Sequence, residues 1–105
     1  MYANMKLERM KPAAARASNL MKALSSEKRL MLLCLLNDGE KSVGALADQS
    51  GLLLPAVSQQ LALLRKDNLV DTRRDGQSIY YTLKGDEARR VIGVLYDLYC
   101  ADEGA

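Results

Sequence analysis

The spacing of apolar side chains predicts a mainly helical chain. Apolar residues at positions 17, 20, 21 and 24 recur at helical spacing, which predicts a first helix over residues 13–24, started by Pro12. The polar residues before Pro12 are expected to be frayed. A second helix, capped by Ser25 or Ser26, is apolar on every side between residues 30 and 36, a pattern typical of burial all round.

Residues 42–66 are predicted to form a helix-turn-helix. Ser42 is placed to cap its first helix, and Gly51 supplies the sharp turn before its second. Val57, Leu61 and Leu64 then share one stripe of that second helix. The opposite face carries small and amide side chains, which suit the reading of base edges in DNA. An ordinary solvated face is the alternative interpretation.

Residues 69–83 are predicted to form a β-hairpin, or wing. Asp75-Gly76 separates two strand-like runs and is typical of a type I′ turn, which needs positive φ. A basic hairpin tip beside a reading helix suits phosphates or the minor groove, whereas a merely soluble edge hairpin is the alternative. The candidate DNA-contacting residues of helix and wing are Ser58, Gln59, Gln60, Arg65, Lys66, Arg73, Arg74 and Gln77.

A last helix is predicted over residues 86–100, with Asp86 as its cap. An amphipathic helix beyond a complete winged fold has little left to cover in its own domain. We therefore expect residues 86–100 and residues 13–24 to be dimerisation helices. For residues 13–24, burial in the protein's own core is the alternative. The candidate interface residues are Leu20, Val91, Leu95, Leu98 and Tyr99.

The 105 residues fit a single domain spanning residues 1–105. Such a small domain gains stability by sharing a core with a second subunit. The expected fold is therefore mostly α with a small β-wing: a winged helix-turn-helix of five helices and a β-hairpin, as a homodimer. The net charge of only +2 means that any DNA-binding patch is local. The longest apolar run is too short to span a bilayer and there is no signal-peptide core, so we expect a cytoplasmic protein without a membrane partner.

The chemistry of the chain is confined to two cysteines, Cys34 and Cys100, which we expect to be thiols in a reducing compartment. Histidine is absent, which removes the commonest general base and the commonest metal ligand. Leucines around Cys34 and the helix C-terminus at Cys100 both disfavour a thiolate. On the residues alone, the simpler interpretation is that one cysteine is a buried core residue and the other is a terminal residue without a function. No enzyme activity, metal or cofactor is predicted, and a thiol enzyme would lack a Cys-x-x-Cys motif.

Four segments together resemble the ArsR/SmtB family of winged-helix repressors: SSEKRLMLLCLL, SVGALADQSG, AVSQQLALLRKDNLV and RRDGQSIYYTL. The resemblance implies a homodimer that binds a pseudo-palindromic operator and releases it when an inducer arrives. Two metal sites of the family are missing, since Val43-Gly44-Ala45 replaces a Cys-x-Cys motif and the last helix has no histidine. The reading helix begins Leu53-Leu54-Pro55 where relatives often have Ser-Gln-Ser, so its cap is weaker.

The pairing of LLCLL with LYC resembles the persulfide-sensing branch of that family, which includes biofilm growth-associated repressors. It implies that Cys34 and Cys100 are sensing thiols, which reactive sulfur species join within one subunit by a disulfide or a longer bridge, releasing the DNA. A closely similar branch holds haemolysin regulators of vibrios, which antagonise nucleoid silencing. General oxidants, haem or a soft metal remain alternative signals, and a protein-interaction module remains an alternative function.

Overall fold

Five helices and three short strands follow one another in the computed structural model, which describes residues 6–100. The predicted winged helix-turn-helix of five helices and a β-hairpin is confirmed. In chain order the elements are α1 (Leu7–Leu24), α2 (Glu27–Asn37), β1 (Lys41–Ser42), α3 (Val43–Ser50), α4 (Leu54–Lys66), β2 (Val70–Asp75), β3 (Ser78–Leu83) and α5 (Asp86–Tyr99).

Helix α1 begins at Leu7, earlier than the predicted start at Pro12. The part of the supposedly frayed segment from Leu7 onward is therefore helical, and residues 1–5 lie outside the described part of the chain. Pro12 is tolerated inside the helix because it removes only the donor for the carbonyl of Glu8, which lies in an exposed first turn. Most of α1 is exposed, and only Ala23 and Leu24 near its end are buried.

Serine caps start two of the helices as predicted. The Ser26 hydroxyl accepts from the backbone N–H of Arg29 at 3.4 Å, and the Ser42 hydroxyl accepts from Ala45 at 3.1 Å. Each bond satisfies a donor that a helix start leaves unpaired. The predicted cap at Asp86 is wrong, because Gly85 occupies the cap position of α5 with φ of 91° and no side chain to offer.

The wing belongs to a three-stranded antiparallel sheet in the order β1-β3-β2. The two-residue strand β1 was not predicted, since it is too short to show alternation. Asp75 pairs with Ser78, so the turn residues are Gly76 and Gln77. Gly76 has φ of 64°, while Asn68 is the only non-glycine among the described residues with positive φ. Type I′ is therefore wrong, and glycine at the first central position fits type II′.

One apolar core joins α2, α3, α4, the sheet and α5. Two expectations fail here. Helix α2 is not buried all round, because Met31 is 43% exposed and Cys34 is half-buried. Helix α5 does cover its own domain, since Ala88 and Ile92 are buried in this core. Both helices therefore pack inward on one side and leave apolar side chains uncovered on another.

Candidate DNA-binding surface and thiol pair

Helix α4 presents its predicted outer face to solvent. Val57, Leu61 and Leu64 are completely buried and fix the rotation of the helix, so that Ser58 and Gln59 lie exposed on the other side. Both side chains are therefore accessible to a base edge, as the prediction requires. The leucine at the cap position makes no side-chain hydrogen bond, in agreement with the weak cap expected from the sequence.

Gln60 lies differently from its two neighbours. Its side chain is half-buried, and its Oε1 atom is buried without a hydrogen-bond partner among the described residues. An unpaired buried amide oxygen is unfavourable, because it has lost its water. The inward oxygen makes Gln60 the least available of the three predicted base-reading residues.

Arg65 and Lys66 are exposed in the last turn of α4, away from its N-terminal reading face. Lys66 lines an open cleft of about 730 Å³. Three further cations line that cleft from α1 and α2: Arg16, Lys22 and Arg29. Lys66 therefore adds to the positive charge of this cleft, and not only to that of the reading helix.

The two wing arginines, predicted together, have different surroundings. Arg73 donates from Nε and Nη2 to the two carboxylate oxygens of Glu40, both at 2.7 Å. Its guanidinium also lies over the ring of Tyr80, 4.7 Å from the centroid. Arg74 is exposed and forms no ion pair within residues 6–100. Gln77 is exposed at the hairpin tip, as predicted.

The fold brings the two cysteines into electrostatic range of each other. Cys34 lies in the middle of α2, Cys100 caps the C-terminus of α5, and these two helices pack together. Burial raises the pKa of the Cys34 thiol, and the negative charge of a Cys100 thiolate raises it further. Both are free thiols, with Cys34 half-buried and Cys100 exposed. This direction agrees with the low thiolate character expected at Cys34.

The predicted dimer residues fall into two groups. Leu20, Val91 and Leu95 are half-buried against the core of their own domain. Leu98 is 70% exposed and Tyr99 is 73% exposed. Met21, one of the apolar positions that predicted the first helix, is also exposed. Three more uncovered apolar side chains were not among the candidates: Val94 and Tyr96 on α5 and Met31 on α2.

Residues 6–100 contain no group of three or more Cys, Asp or Glu side chains that could hold a metal ion. No helix within that range is long and apolar enough to cross a membrane.

Comparison with known proteins identifies the family. Residues 26–72 match the model of bacterial regulatory proteins of the arsR family. The chain is 45% identical over 98 residues to the transcriptional activator HlyU of Vibrio cholerae serotype O1, covering 93% of this chain and 91% of that protein. The chain belongs to the arsR family. The resemblance of its sequence segments to that family is thereby confirmed.

Further relatives include one protein named as a repressor and one named as a homodimer. The biofilm growth-associated repressor of Xylella fastidiosa is 43% identical over 100 residues, covering 95% of this chain and 88% of that protein. Reduced HlyU from V. cholerae N16961 superposes with a TM-score of 0.85 at 45% identity, over 90% of this chain and 99% of that one. The homodimeric winged helix-turn-helix DNA-binding domain Mb0332 of Mycobacterium bovis gives 0.74 at 31% identity, over 96% and 92%. The family and these relatives are transcriptional regulators and not enzymes.

Proposed function

We propose that the protein is a homodimeric, operator-binding transcriptional repressor that releases DNA when persulfides join Cys34 to Cys100. The observation that carries the proposal is that Cys34 and Cys100 lie on two packed helices, with the charge of a Cys100 thiolate felt at Cys34, in a member of a winged-helix regulator family. Cys34 packs against the core but is only half-buried, and Cys100 is exposed, so neither thiol is sealed from solvent.

The chemistry begins at the exposed thiol. The thiolate of Cys100 attacks the outer sulfur of a persulfide R–S–SH, forming a persulfide on Cys100 and releasing R–SH. The thiolate of Cys34 then attacks the inner sulfur of that group and displaces hydrosulfide. Two thiols are oxidised to a disulfide, and the transferred sulfur leaves as H₂S. A longer bridge forms when a further persulfide supplies an additional sulfur atom.

The bridge acts on DNA binding through α2. This helix packs on α3 and α4 as well as on α5, so a link between Cys34 and Cys100 pulls on the support of the reading helix. In a dimer the two reading helices enter the major groove about one helical turn apart, and a change in their spacing lowers affinity. A coupling free energy of about 1–3 kcal/mol is typical of such regulation.

In the DNA-bound form, Ser58 and Gln59 contact base edges in the major groove. Arg74 and Gln77 contact the backbone or minor groove from the wing tip. Support comes from the exposure of these side chains and from the burial of Val57 on the opposite face of α4.

The test is operator affinity before and after treatment with glutathione persulfide. The operator is first selected from random duplexes by the reduced protein, and the bridge is identified by mass spectrometry of the Cys34 and Cys100 peptides. We expect crosslinking within one subunit and a loss of affinity of 5–150-fold. Cys34→Ser and Cys100→Ser should bind the operator and ignore the persulfide. Unchanged affinity after complete crosslinking would refute the proposal.

Selectivity needs its own arm of that experiment, because general oxidants would use the same two thiols. A parallel sample is treated with hydrogen peroxide at equal oxidising equivalents. Faster crosslinking by the persulfide supports the sensing of reactive sulfur species. Equal rates would mean that the protein responds to oxidants in general.

A second candidate function is activation by displacement of a silencing protein. The specific observation in its favour is the 45% identity to a protein named as a transcriptional activator. A reporter gene under the selected operator, measured with and without the regulator, distinguishes the two functions. A repressor lowers expression even in a host without silencing proteins. An anti-silencer changes expression only in a host that contains silencing proteins.

A further inference from the structure

Arg73 of the wing is already occupied by a carboxylate from outside the wing. Glu40 lies between α2 and β1, 33 positions away in the chain, and accepts from Nε and Nη2 of the guanidinium at 2.7 Å each. A third atom of the guanidinium, Nη1, lies 3.9 Å from the carboxylate of Asp75. The ring of Tyr80 covers one face of the group. One positive charge is thus surrounded by two negative ones.

The contact with Glu40 has the geometry that a phosphate would need. Arginine binds carboxylate and phosphate alike through two parallel N–H bonds of its planar fork. Both oxygens of Glu40 are engaged, so the edge of the guanidinium formed by Nε and Nη2 is not free for a DNA phosphate. The bond to Arg73 also lowers the pKa of the Glu40 carboxyl, so the carboxylate stays charged at neutral pH.

The neighbouring arginine has no such partner. Arg73 pairs across the hairpin with Tyr80, and Arg74 pairs with Ile79, so the two arginines point to opposite faces of the sheet. Arg74 forms no ion pair within the described part of the chain. Two adjacent residues of one type therefore differ in the charge they can offer to DNA.

We propose that Glu40 sets the DNA affinity of the wing: it occupies the fork of Arg73 and withholds it from the phosphate backbone, which leaves Arg74 as the phosphate-binding arginine. This inference rests on the proposed DNA binding but not on thiol sensing. Glu40 is thereby an affinity-determining residue that lies outside both the reading helix and the wing.

The substitution Glu40→Gln tests the proposal directly. The amide has nearly the same shape, but it lacks the charge and one of the two acceptors, so Arg73 becomes available to a phosphate. One additional phosphate contact steepens the slope of log K against log[salt] by about 0.9. Binding should therefore tighten at low salt. Arg74→Ala in the otherwise unchanged protein should make the slope shallower by a similar amount, whereas Arg73→Ala should change it little.

A matched control separates this effect from simple charge. Asp71 lies on the same hairpin in an exposed ion pair with Lys84 at 3.6 Å, so Asp71→Asn removes the same charge and releases one surface cation, Lys84, but leaves Arg73 bound to Glu40. The double variant Glu40→Gln/Arg73→Ala completes a double-mutant cycle. It should not show the gain in DNA affinity that is expected of Glu40→Gln alone. Affinity is measured by fluorescence anisotropy of the reduced protein on one duplex at several KCl concentrations.

The outcomes are distinct. A gain in Glu40→Gln that exceeds Asp71→Asn and disappears with Arg73→Ala supports the proposal. Three results would overturn it while leaving the DNA-binding function intact. These are an equal gain in DNA affinity in Asp71→Asn, a gain that persists in the double variant with Arg73→Ala, and weaker DNA binding by Glu40→Gln. Absence of salt-dependent binding by the unmodified protein would instead refute the proposed function itself.

Discussion

The start of the reading helix offers a quantitative test of the fold. Leu53 has the extended backbone of a cap residue, with φ −68° and ψ 146°, but its side chain satisfies none of the free N–H groups of α4. A serine in that conformation can accept from the backbone N–H of Ala56, three positions later, as Ser26 and Ser42 already do at their own helices; Pro55, two positions later, has no N–H to donate. We therefore predict that Leu53→Ser stabilises the protein.

The magnitude follows from the exposure of the leucine. Leu53 is 78% exposed, so about a fifth of its surface is buried. Since complete burial of a leucine contributes about 1.5–3 kcal/mol, its removal costs about 0.3–0.6 kcal/mol. The new cap contributes about 1 kcal/mol. The net gain is about 0.5 kcal/mol, whereas Leu53→Ala should lose the burial and gain nothing.

The assay compares Leu53→Ser with Leu53→Ala by urea denaturation and thermal unfolding, at equal protomer concentration because a dimer's stability depends on concentration. The two variants should differ by about 1 kcal/mol, or about 4–8 °C in Tm. If Leu53→Ser were no more stable than Leu53→Ala, the cap position assigned to residue 53 would be wrong.

Three further predictions follow from burial. Cys100 should react with iodoacetamide before Cys34, as followed by peptide mass spectrometry, because it is exposed while burial raises the pKa of Cys34; equal rates would contradict this. The same raised pKa means that the folded state holds the Cys34 proton more tightly than the unfolded state. Its contribution to stability is complete below the ordinary thiol pKa and is lost as pH rises through the folded value, so Cys34→Ala should weaken the alkaline loss of stability. Leu64→Ala should destabilise the fold by about 2–5 kcal/mol in urea denaturation, since Leu64 is completely buried, and a loss below about 1 kcal/mol would contradict that packing.

The sequence predicted the elements whose signals are local. The sequence predicted Ser42 and one of Ser25 and Ser26 as caps, because a hydroxyl just before an apolar run is a local signal of a helix start, and the structure selects Ser26. Pro12 misled for the same reason: it is also a local signal, but α1 begins before it, at Leu7. Strand β1 has only two residues, Lys41 and Ser42, and forms because β3 is beside it, which local sequence cannot reveal.

The candidate site was harder to predict because its decisive contacts are distant in the chain. Arg73 and Arg74 are equivalent in sequence, and only the fold places Glu40 against one of them. Gln60 follows Gln59 directly, yet a rotation of 100° buries its amide oxygen. The thiols were paired by resemblance to a family, since nothing in the 65 residues between Cys34 and Cys100 indicates that α2 and α5 pack together.

Helix α2 connects the two halves of the proposed function, the thiol sensor and the DNA-reading helix. Its buried side chains Leu32, Leu33 and Leu36 belong to the same core as Leu61 and other buried residues of α4. Its half-buried flank carries Cys34, and α2 packs against α5, whose C-terminus is capped by Cys100. Because close-packed interiors transmit displacement rather than absorb it, a bridge on that flank cannot move α2 without disturbing the support of the reading helix. In the proposed mechanism, the two sides of this one helix therefore connect the thiols to the DNA-reading helix.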